Sequence, residues 1–314
     1  MSSVRGLRAV RVDEAAIAAS WSLLVCAARN EAVRLPAFLA HYRRLGVAHF
    51  LVVDNGSTDE TQALLASEPD CSIWHTGDSY RAAAFGMDWC HSLLDRHGHG
   101  KWCLTVDLDE FLVYPHSDAR GLRGLTRHMD KVGQQALFTV LVDAYGEGRL
   151  SDTRLRAGDD PFEVCPWFDR FNFTQRLSKE RDHFFVQGGV RLRRFFTDAA
   201  PRAPALNKLP LVRWQRGLRY TSSTHAFDRP ELNLGLIGHP ERVSGALFHF
   251  KFVDHILAKA AEETVRREHY LGADEYRAYL ELGDVVLHDP EVSRRYEGPA
   301  QLERMGLMQR GTWF

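Results

Sequence analysis

A chain of 314 residues, 45% of them hydrophobic, can bury a sizeable core in one large or two modest domains. Its 40 basic and 41 acidic residues leave a formal net charge of -1, which excludes a dedicated nucleic-acid binder, whose footprint would be a basic domain. The five cysteines form no Cys-x-x-Cys pair, Arg5, Arg8, Arg11, Asp13 and Glu14 interrupt the start, and no apolar run approaches the roughly 20 residues of a membrane span. The expectation is a cytoplasmic protein without a transmembrane segment, with peripheral membrane association left open.

In chain order, Ser22-Leu23-Leu24-Val25-Cys26-Ala27 and His49-Phe50-Leu51-Val52-Val53 are short apolar runs of the kind buried on both faces of a parallel sheet. Between them Leu35, Phe38, Leu39, Tyr42 and Leu45 recur at helical spacing, with Pro36 in the first turn and Gly46 at the stop. The spacing predicts a β-α-β unit with a right-handed crossover. Asn55-Gly56 supplies a turn, and Ser57 with Glu60 predicts a capping box for a helix through Leu64 and Leu65. A third strand at 72–74, a helix over 81–96 carrying Phe85, Trp89 and Leu93, and a fourth strand through Trp102, Cys103, Leu104 and Val106 complete an alternating α/β pattern.

The second half is less regular. Residues 136–142, 189–196 and 247–252 are β-like, and 198–210 is Ala/Pro-rich and reads as a loop. Ile256, Ala260, Val265, Tyr276, Tyr279 and Leu280 predict one or two helices over 254–282, followed by a charged tail that ends in aromatic residues. The predicted fold is α/β: a mostly parallel sheet flanked by helices, with a helical C-terminal extension.

The fourth strand runs into Asp107, Asp109 and Glu110. On an extended chain Asp107 and Asp109 point to one side, where two like charges repel unless a cation separates them; carboxylate oxygens suit Mg²⁺ or Mn²⁺. Ligands of open α/β sheets bind beyond the carboxyl ends of the strands, which gathers Arg29, Asn30 and Glu31, then Asp54 and Asn55, then the acidic cluster. Such a set suits a nucleoside diphosphate: Arg29 and Arg81 to neutralise phosphate, Asp54 to accept from a base or ribose, the acidic pair to hold a metal. Arg191, Arg193 and Arg194 read either as a site for diphosphate or an anionic acceptor or, since Arg191 and Arg193 would share one strand face, as a solvated edge, the reading preferred; Trp167, Phe168, Phe171 and Phe173 read as core or as a sugar-stacking platform. Lys208, near the Pro-rich loop, is weighed as part of a mobile lid, a reading that is not adopted.

Ala28-Arg29-Asn30-Glu31, Val52-Val53-Asp54-Asn55-Gly56-Ser57-Thr58-Asp59 and Asp107-Leu108-Asp109-Glu110-Phe111, in this order at three strand ends, resemble the motifs of family-two-like glycosyltransferases of the GT-A fold. The Asp-x-Asp-Glu-Phe version is similar to a bacterial subgroup associated with surface polysaccharide assembly. The resemblance covers residues 20–115 and, with less specificity, segments at 188–191, 208–213, 223–225 and 247–250. It implies an N-terminal segment over 1–19, a glycosyltransferase domain over 20–252 and an extension over 253–314. It also implies metal-dependent, inverting transfer from a nucleotide-sugar, a UDP-sugar above others, to a glycan, lipid-linked or other hydroxyl acceptor.

By position, the resemblance puts Asp54 on the nucleobase, Asn30 and Glu31 in the nucleoside pocket, Asp109 on Mn²⁺ or Mg²⁺, and Asp107 on the ribose or metal-bound water. It adds a late histidine ligand, His249 or, second, His225. The Glu-Asp dipeptide that supplies the base in many inverting members has no counterpart, so Asp143 and Asp169 are the candidates for that role. Two rivals stay open: a nucleotidyltransferase, against which the absence of a Gly-rich loop near Ala27 speaks, and a non-catalytic nucleotide-sugar-binding assembly protein.

Overall fold

The computed structural model describes residues 6–178, 182–266 and 274–314; residues 267–273 of the predicted helical stretch and the side chain of Val265 lie outside the described residues. The fold is α/β, a large sheet flanked by helices. Its centre is β2 (Ser22–Ala28), parallel to β3 (His49–Asp54) on one side and β5 (Trp102–Thr105) on the other, with β4 (Cys71–His75) parallel to β3 and β1 (Arg8–Arg11) antiparallel at the edge. Alternation sorts these strands onto two covered faces. Leu24, Cys26, Phe50 and Val52 pack on one face with Phe38, Leu39 and Tyr42 of α2 (Leu35–Leu45). Leu23, Val25, Leu51 and Val53 pack on the other with Trp89, Cys90 and Leu93. Each fully buried Leu, Val or Phe side chain contributes about 1.5–3 kcal/mol, which is why continuous apolar runs rather than alternating ones mark these strands.

The ends of α2 follow the sequence: Pro36 lies in the first turn, and Gly46, at φ 92°, closes the last with its N–H on the Tyr42 and Arg43 carbonyls. Two other predicted starts are displaced. The second crossover helix begins at Thr61, not after Ser57; Asp59 Oδ1 accepts from Thr61 N at 3.0 Å, and Ser57 Oγ instead accepts from Asn30 N at 3.0 Å, tying two loops together. The third begins at Met87 rather than 81, because Ala84, Phe85 and Gly86 all have positive φ and cannot extend a right-handed helix.

Beyond β5 the sheet becomes mixed. The strand β11 (Asn207–Arg213) is antiparallel to both β5 and β7 (Ala136–Tyr145), β7 is parallel to β12 (Gly245–Phe252), and β12 is antiparallel to β6 (Glu110–Val113). The sheet order is β1-β4-β3-β2-β5-β11-β7-β12-β6, with β8 (Trp167–Asp169) pairing both β7 and β13 (Ser293–Arg295). A separate hairpin joins β9 (Thr174–Ser178) to β10 (His183–Gln187). The end of the predicted 198–210 loop is therefore strand.

The β-like stretch 189–196 is a π-helical turn over Arg191–Phe195. Gly188 and Gly189, at φ 151° and 60°, break the extended chain, and Arg191 and Arg193 find buried acids instead of solvent. Of the aromatic group, Phe168 is buried core and Phe171 is 45% exposed; none of the four lines the cavity described below. The C-terminal part supplies helices at Ile256–Arg266, Asp274–Leu282 and Pro299–Arg304, and Trp313 packs back beside Tyr114 and His128. Among the described residues no helix is long and apolar enough to cross a membrane.

Candidate functional site

A cavity of ≈ 1610 Å³ opens beyond the carboxyl ends of β2 and β5 and reaches across to β11 and β12. It is lined on one side by Arg29, Asn55, Tyr80 and Phe85, and on the other by Lys208, His225, His249 and Lys251. Arg29, Asn55, Tyr80 and Phe85 follow parallel strands, the position at which open α/β sheets present ligands, whereas Lys208 lies at the start of β11, His249 and Lys251 lie within β12, and His225 lies between these two strands.

Following β2, Arg29 donates from Nη1 to the Asn55 carbonyl at 2.9 Å, while its buried Nε has no protein partner. Asn30, at φ 54°, does not line the cavity; its Oδ1 accepts from Thr58 N at 2.8 Å and holds the next loop. Glu31 lines the cavity and pairs with Arg34 at 2.9 Å and with Lys259, from the late helix Ile256–Arg266, at 3.2 Å. Asp54, at the end of β3, is 1% exposed and does not line the cavity. Its oxygens accept from Ser57 N (3.2 Å), Gln62 Nε2 (2.8 Å) and His75 Nδ1 (2.9 Å), and the neighbouring Asn55 faces the cavity in its place. Arg81 is exposed and outside the lining.

The acidic turn after β5 separates its three carboxylates. Asp107 opens into the cavity, yet the surrounding protein withholds bulk water, and with Glu110 and Asp109 nearby this raises its carboxyl to about 7. Glu110 is buried; its Oε2 accepts from Asp107 N at 3.1 Å and its Oε1 pairs with Lys208 at 2.9 Å. Asp109 reaches His249, with Oδ2 3.3 Å from Nε2. Burial pushes the Asp109 carboxyl up, but His249, Arg34 and Lys259 outweigh it and hold it well below the usual range.

His249 sits on β12 in register with Asp143 on β7 and Glu110 on β6. Its Nδ1 lies 2.7 Å from Asp143 Oδ1. The carboxylate only accepts, so Nδ1 carries the hydrogen and Nε2 is the atom turned toward Asp109. Burial lowers the His249 pKa, but Asp109 and Asp143 outweigh it and the net direction is up. Asp143 itself is clamped by Arg191, Nε to Oδ2 and Nη2 to Oδ1, both 2.8 Å.

Asp143 and Asp169, the sequence candidates for the base, both lie outside the cavity lining. Asp169 meets Arg193 at 2.8 and 2.9 Å and accepts from Tyr145 Oη at 2.5 Å. The two guanidiniums of the π-helical turn claim both carboxylates. His225 does line the cavity, donates from Nδ1 to the Asn207 carbonyl at 2.6 Å, and is held neutral by burial and by Lys208, its pKa lowered to about 3.

The donor atoms of Asp109 and His249 stand 3.3 Å apart, close to the ~3 Å between neighbouring ligands of an ion with bonds of about 2.0–2.1 Å. A carboxylate oxygen and an imidazole nitrogen suit Mn²⁺ or Mg²⁺, and Asp143 behind Nδ1 is the outer partner that metal-bound histidines keep. This pair fits a divalent cation whose remaining positions go to water or substrate. Asp107 does not join it in a common site: among the described residues no group of three or more His, Cys, Asp or Glu is arranged to hold a metal. Arg191, which the sequence reads as an anion binder or, by preference, as a solvated edge, lines the cavity; Lys251, Lys259 and Glu275 have no local sequence signal for the site.

No family model and no curated protein matches the chain. Among solved structures it is similar to a 4-diphosphocytidyl-2C-methyl-D-erythritol synthase (15% identity, 45% of this chain and 66% of that one, TM-score 0.28). It is also similar to a Mycobacterium tuberculosis glucosyl-3-phosphoglycerate synthase in complex with Mn²⁺, UDP and glucosyl-3-phosphoglycerate (21%, 44% and 49%, TM-score 0.25). A third is a nucleotidyl transferase from Methanothermobacter thermautotroptrophicus (12%, 79% and 99%, TM-score 0.27). The chain spans about half to just under two thirds of the first two of these. Likeness this loose fixes neither activity nor substrate.

Proposed function

We propose that this chain is a metal-assisted glycosyltransferase that moves a sugar from a nucleotide-sugar donor, of the UDP class, to a hydroxyl acceptor with inversion. The observation that carries the reading is the meeting of Asp109 and His249 on a large cavity into which the loops after β2, β3 and β5 also send Arg29, Asn55 and Asp107. Asp109 and His249 would hold Mn²⁺ or Mg²⁺, which would supply positive charge to offset that of a departing nucleoside diphosphate. Arg29 adds a fixed cation with an unclaimed donor at the same strand end. In this reading Asn55 borders the nucleoside, whereas Asp54 shapes the loop from behind through Ser57, Gln62 and His75. Asn30 does the same through Thr58, and Asp143 and Asp169 position other groups. Residues 20–252 would form the transferase domain, with the extension over 253–314 supplying Lys259 and Glu275.

The test is incubation with a panel of nucleotide-sugars and Mn²⁺, with analysis of what leaves. Release of nucleoside diphosphate, abolished in a folded Asp109→Ala variant, is the expected result. Release of pyrophosphate from a nucleoside triphosphate would identify a nucleotidyltransferase, and full activity in Asp109→Ala would remove the metal assignment.

A further inference from the structure

We propose that Glu275, on the C-terminal helix that we label by its range Asp274–Leu282, is a positioning residue of the site. It fixes Arg191, and through Arg191 it keeps the Nδ1 hydrogen of His249 on Asp143, so that Nε2 stays open toward Asp109. The proposal rests on the metal-assisted reading above and assigns a new residue to it.

His249 faces two partners of opposite kind. Its Nδ1 lies 2.7 Å from Asp143 Oδ1, an acceptor, and 2.8 Å from Arg191 Nη2, a donor. One nitrogen cannot satisfy both. If Nδ1 donates to Asp143, the neutral ring leaves Nε2 bare; if Nδ1 accepts from Arg191, the hydrogen moves to Nε2, where it blocks a cation. Asp109, an acceptor 3.3 Å from Nε2, draws the hydrogen to that nitrogen, so the balance against Asp143 depends on where the guanidinium is held. Arg191 commits Nε and Nη2 to Asp143, and its remaining Nη1 is drawn away by Glu275 Oε1 at 3.1 Å. The same oxygen takes Lys251 Nζ at 3.0 Å and the Tyr279 hydroxyl. Lys251 stands two residues beyond His249 on the same face of β12 and repels Arg191. Without the Glu275 charge between them, Lys251 drives the guanidinium toward His249.

Buried ion pairs are often only structural, and the same π-helical turn provides the comparison. Arg193 makes an equally bidentate pair with Asp169, at 2.8 and 2.9 Å, but has no bond to His249. Loosening the turn through Arg193 should cost stability and leave the imidazole alone.

The experiment measures Mn²⁺ binding to the full chain without nucleotide, by electron paramagnetic resonance of the free ion. Alongside it, the imidazole ¹⁵N pattern of His249 is recorded in the metal-free protein above its imidazolium range. Glu275→Gln is expected to weaken Mn²⁺ about tenfold or more, as lost outer partners do, and to shift the hydrogen from Nδ1 to Nε2. Arg193→Lys should change neither. If Glu275→Gln does not fold, Tyr279→Phe, which removes one partner of the same carboxylate, is expected to change both readouts in the same direction by less. Wild-type Mn²⁺ affinity and ¹⁵N pattern in a folded Glu275 or Tyr279 variant would overturn the proposal, as would equal changes in Arg193→Lys. A wild type that binds no Mn²⁺ would remove the metal reading, while the ¹⁵N pattern would still decide whether Glu275 governs the ring.

Discussion

The two sides of the cavity are built by different means. On the β2–β3–β5 side, polar groups stand directly behind apolar strands and are tied by loop contacts: Arg29 to the Asn55 carbonyl, Asn30 to Thr58, Asp54 to Ser57 and Gln62. On the β11–β7–β12 side, the groups come from distant segments and meet as buried charges, with Asp143, Arg191, His249, Lys251 and Glu275 in one network. The first side is held largely by turn chemistry, with ion pairs at Glu31 and Glu110, and is expected to lose less when one loop contact is removed. The second depends on every member, since a buried charge stripped of its partner keeps its desolvation cost.

The sharpest way to break that contrast is to remove one charge from the network. Arg191→Met should destabilise the fold by about 3–5 kcal/mol in denaturant titration, because Asp143 is left buried without its cation, with only His249 as partner. A loss near 1 kcal/mol would place both sides on the same footing.

Acid should act on buried neutral imidazoles on the helices that cover the two faces of the sheet. Burial and Arg219 lower His91 to about 4, and burial and Arg44 lower His41 to about 3. Each folded pKa lies below the usual 6.5, so the unfolded chain binds more protons and stability falls as pH drops from about 6.5 toward 4, by roughly 3 kcal/mol for His91. His91→Gln should flatten the slope of melting temperature against pH in that window; an unchanged slope would locate the acid sensitivity elsewhere.

A smaller effect sharpens the account of the loop side. Asp54→Asn should cost about 1–2 kcal/mol, from weakened bonds to Ser57, Gln62 and His75. Nucleoside diphosphate affinity should change by less than the roughly tenfold that 1.4 kcal/mol of direct contact represents. A larger loss by calorimetry would put Asp54 on the ligand after all.

The smallest effect is expected at Gly46→Ala, whose φ of 92° must be kept but whose surroundings are open, at about 1 kcal/mol in melting experiments and with no change in ligand binding.

The same contrast decides what could be read from the sequence. Strands such as Leu23-Leu24-Val25-Cys26, and the helix bracketed by Pro36 and Gly46, carry their periodicity and punctuation in a few adjacent residues. The polar groups that follow them inherit their place from the fold class. Asp109 was legible for that reason, and His249 through the motif it resembles. The π-helical turn was not, because its residues look β-like and only the glycine torsions and the distant Asp143 and Asp169 fix it. Asp54 and Asn55 are neighbours in sequence, and which one faces the cavity was decided by Gln62 and His75. Glu275 lies more than a hundred residues from Asp143, and no periodicity links them.

Gly188 has a consequence for how this architecture could be re-engineered. A methyl group on its Cα would lie 2.4 Å from the Asn172 carbonyl oxygen and 2.6 Å from Phe173 Cα, so the backbone closes on itself at the base of the β9–β10 hairpin. The hairpin is therefore a cassette on a locked stem, and Arg176, Leu177, Ser178, His183 and Phe185 of its strands line the cavity. Exchanging it between positions 174 and 187 would recut one wall of the cavity from outside the turn that carries Arg191, which makes it the segment to shuffle in a library that varies what the cavity admits.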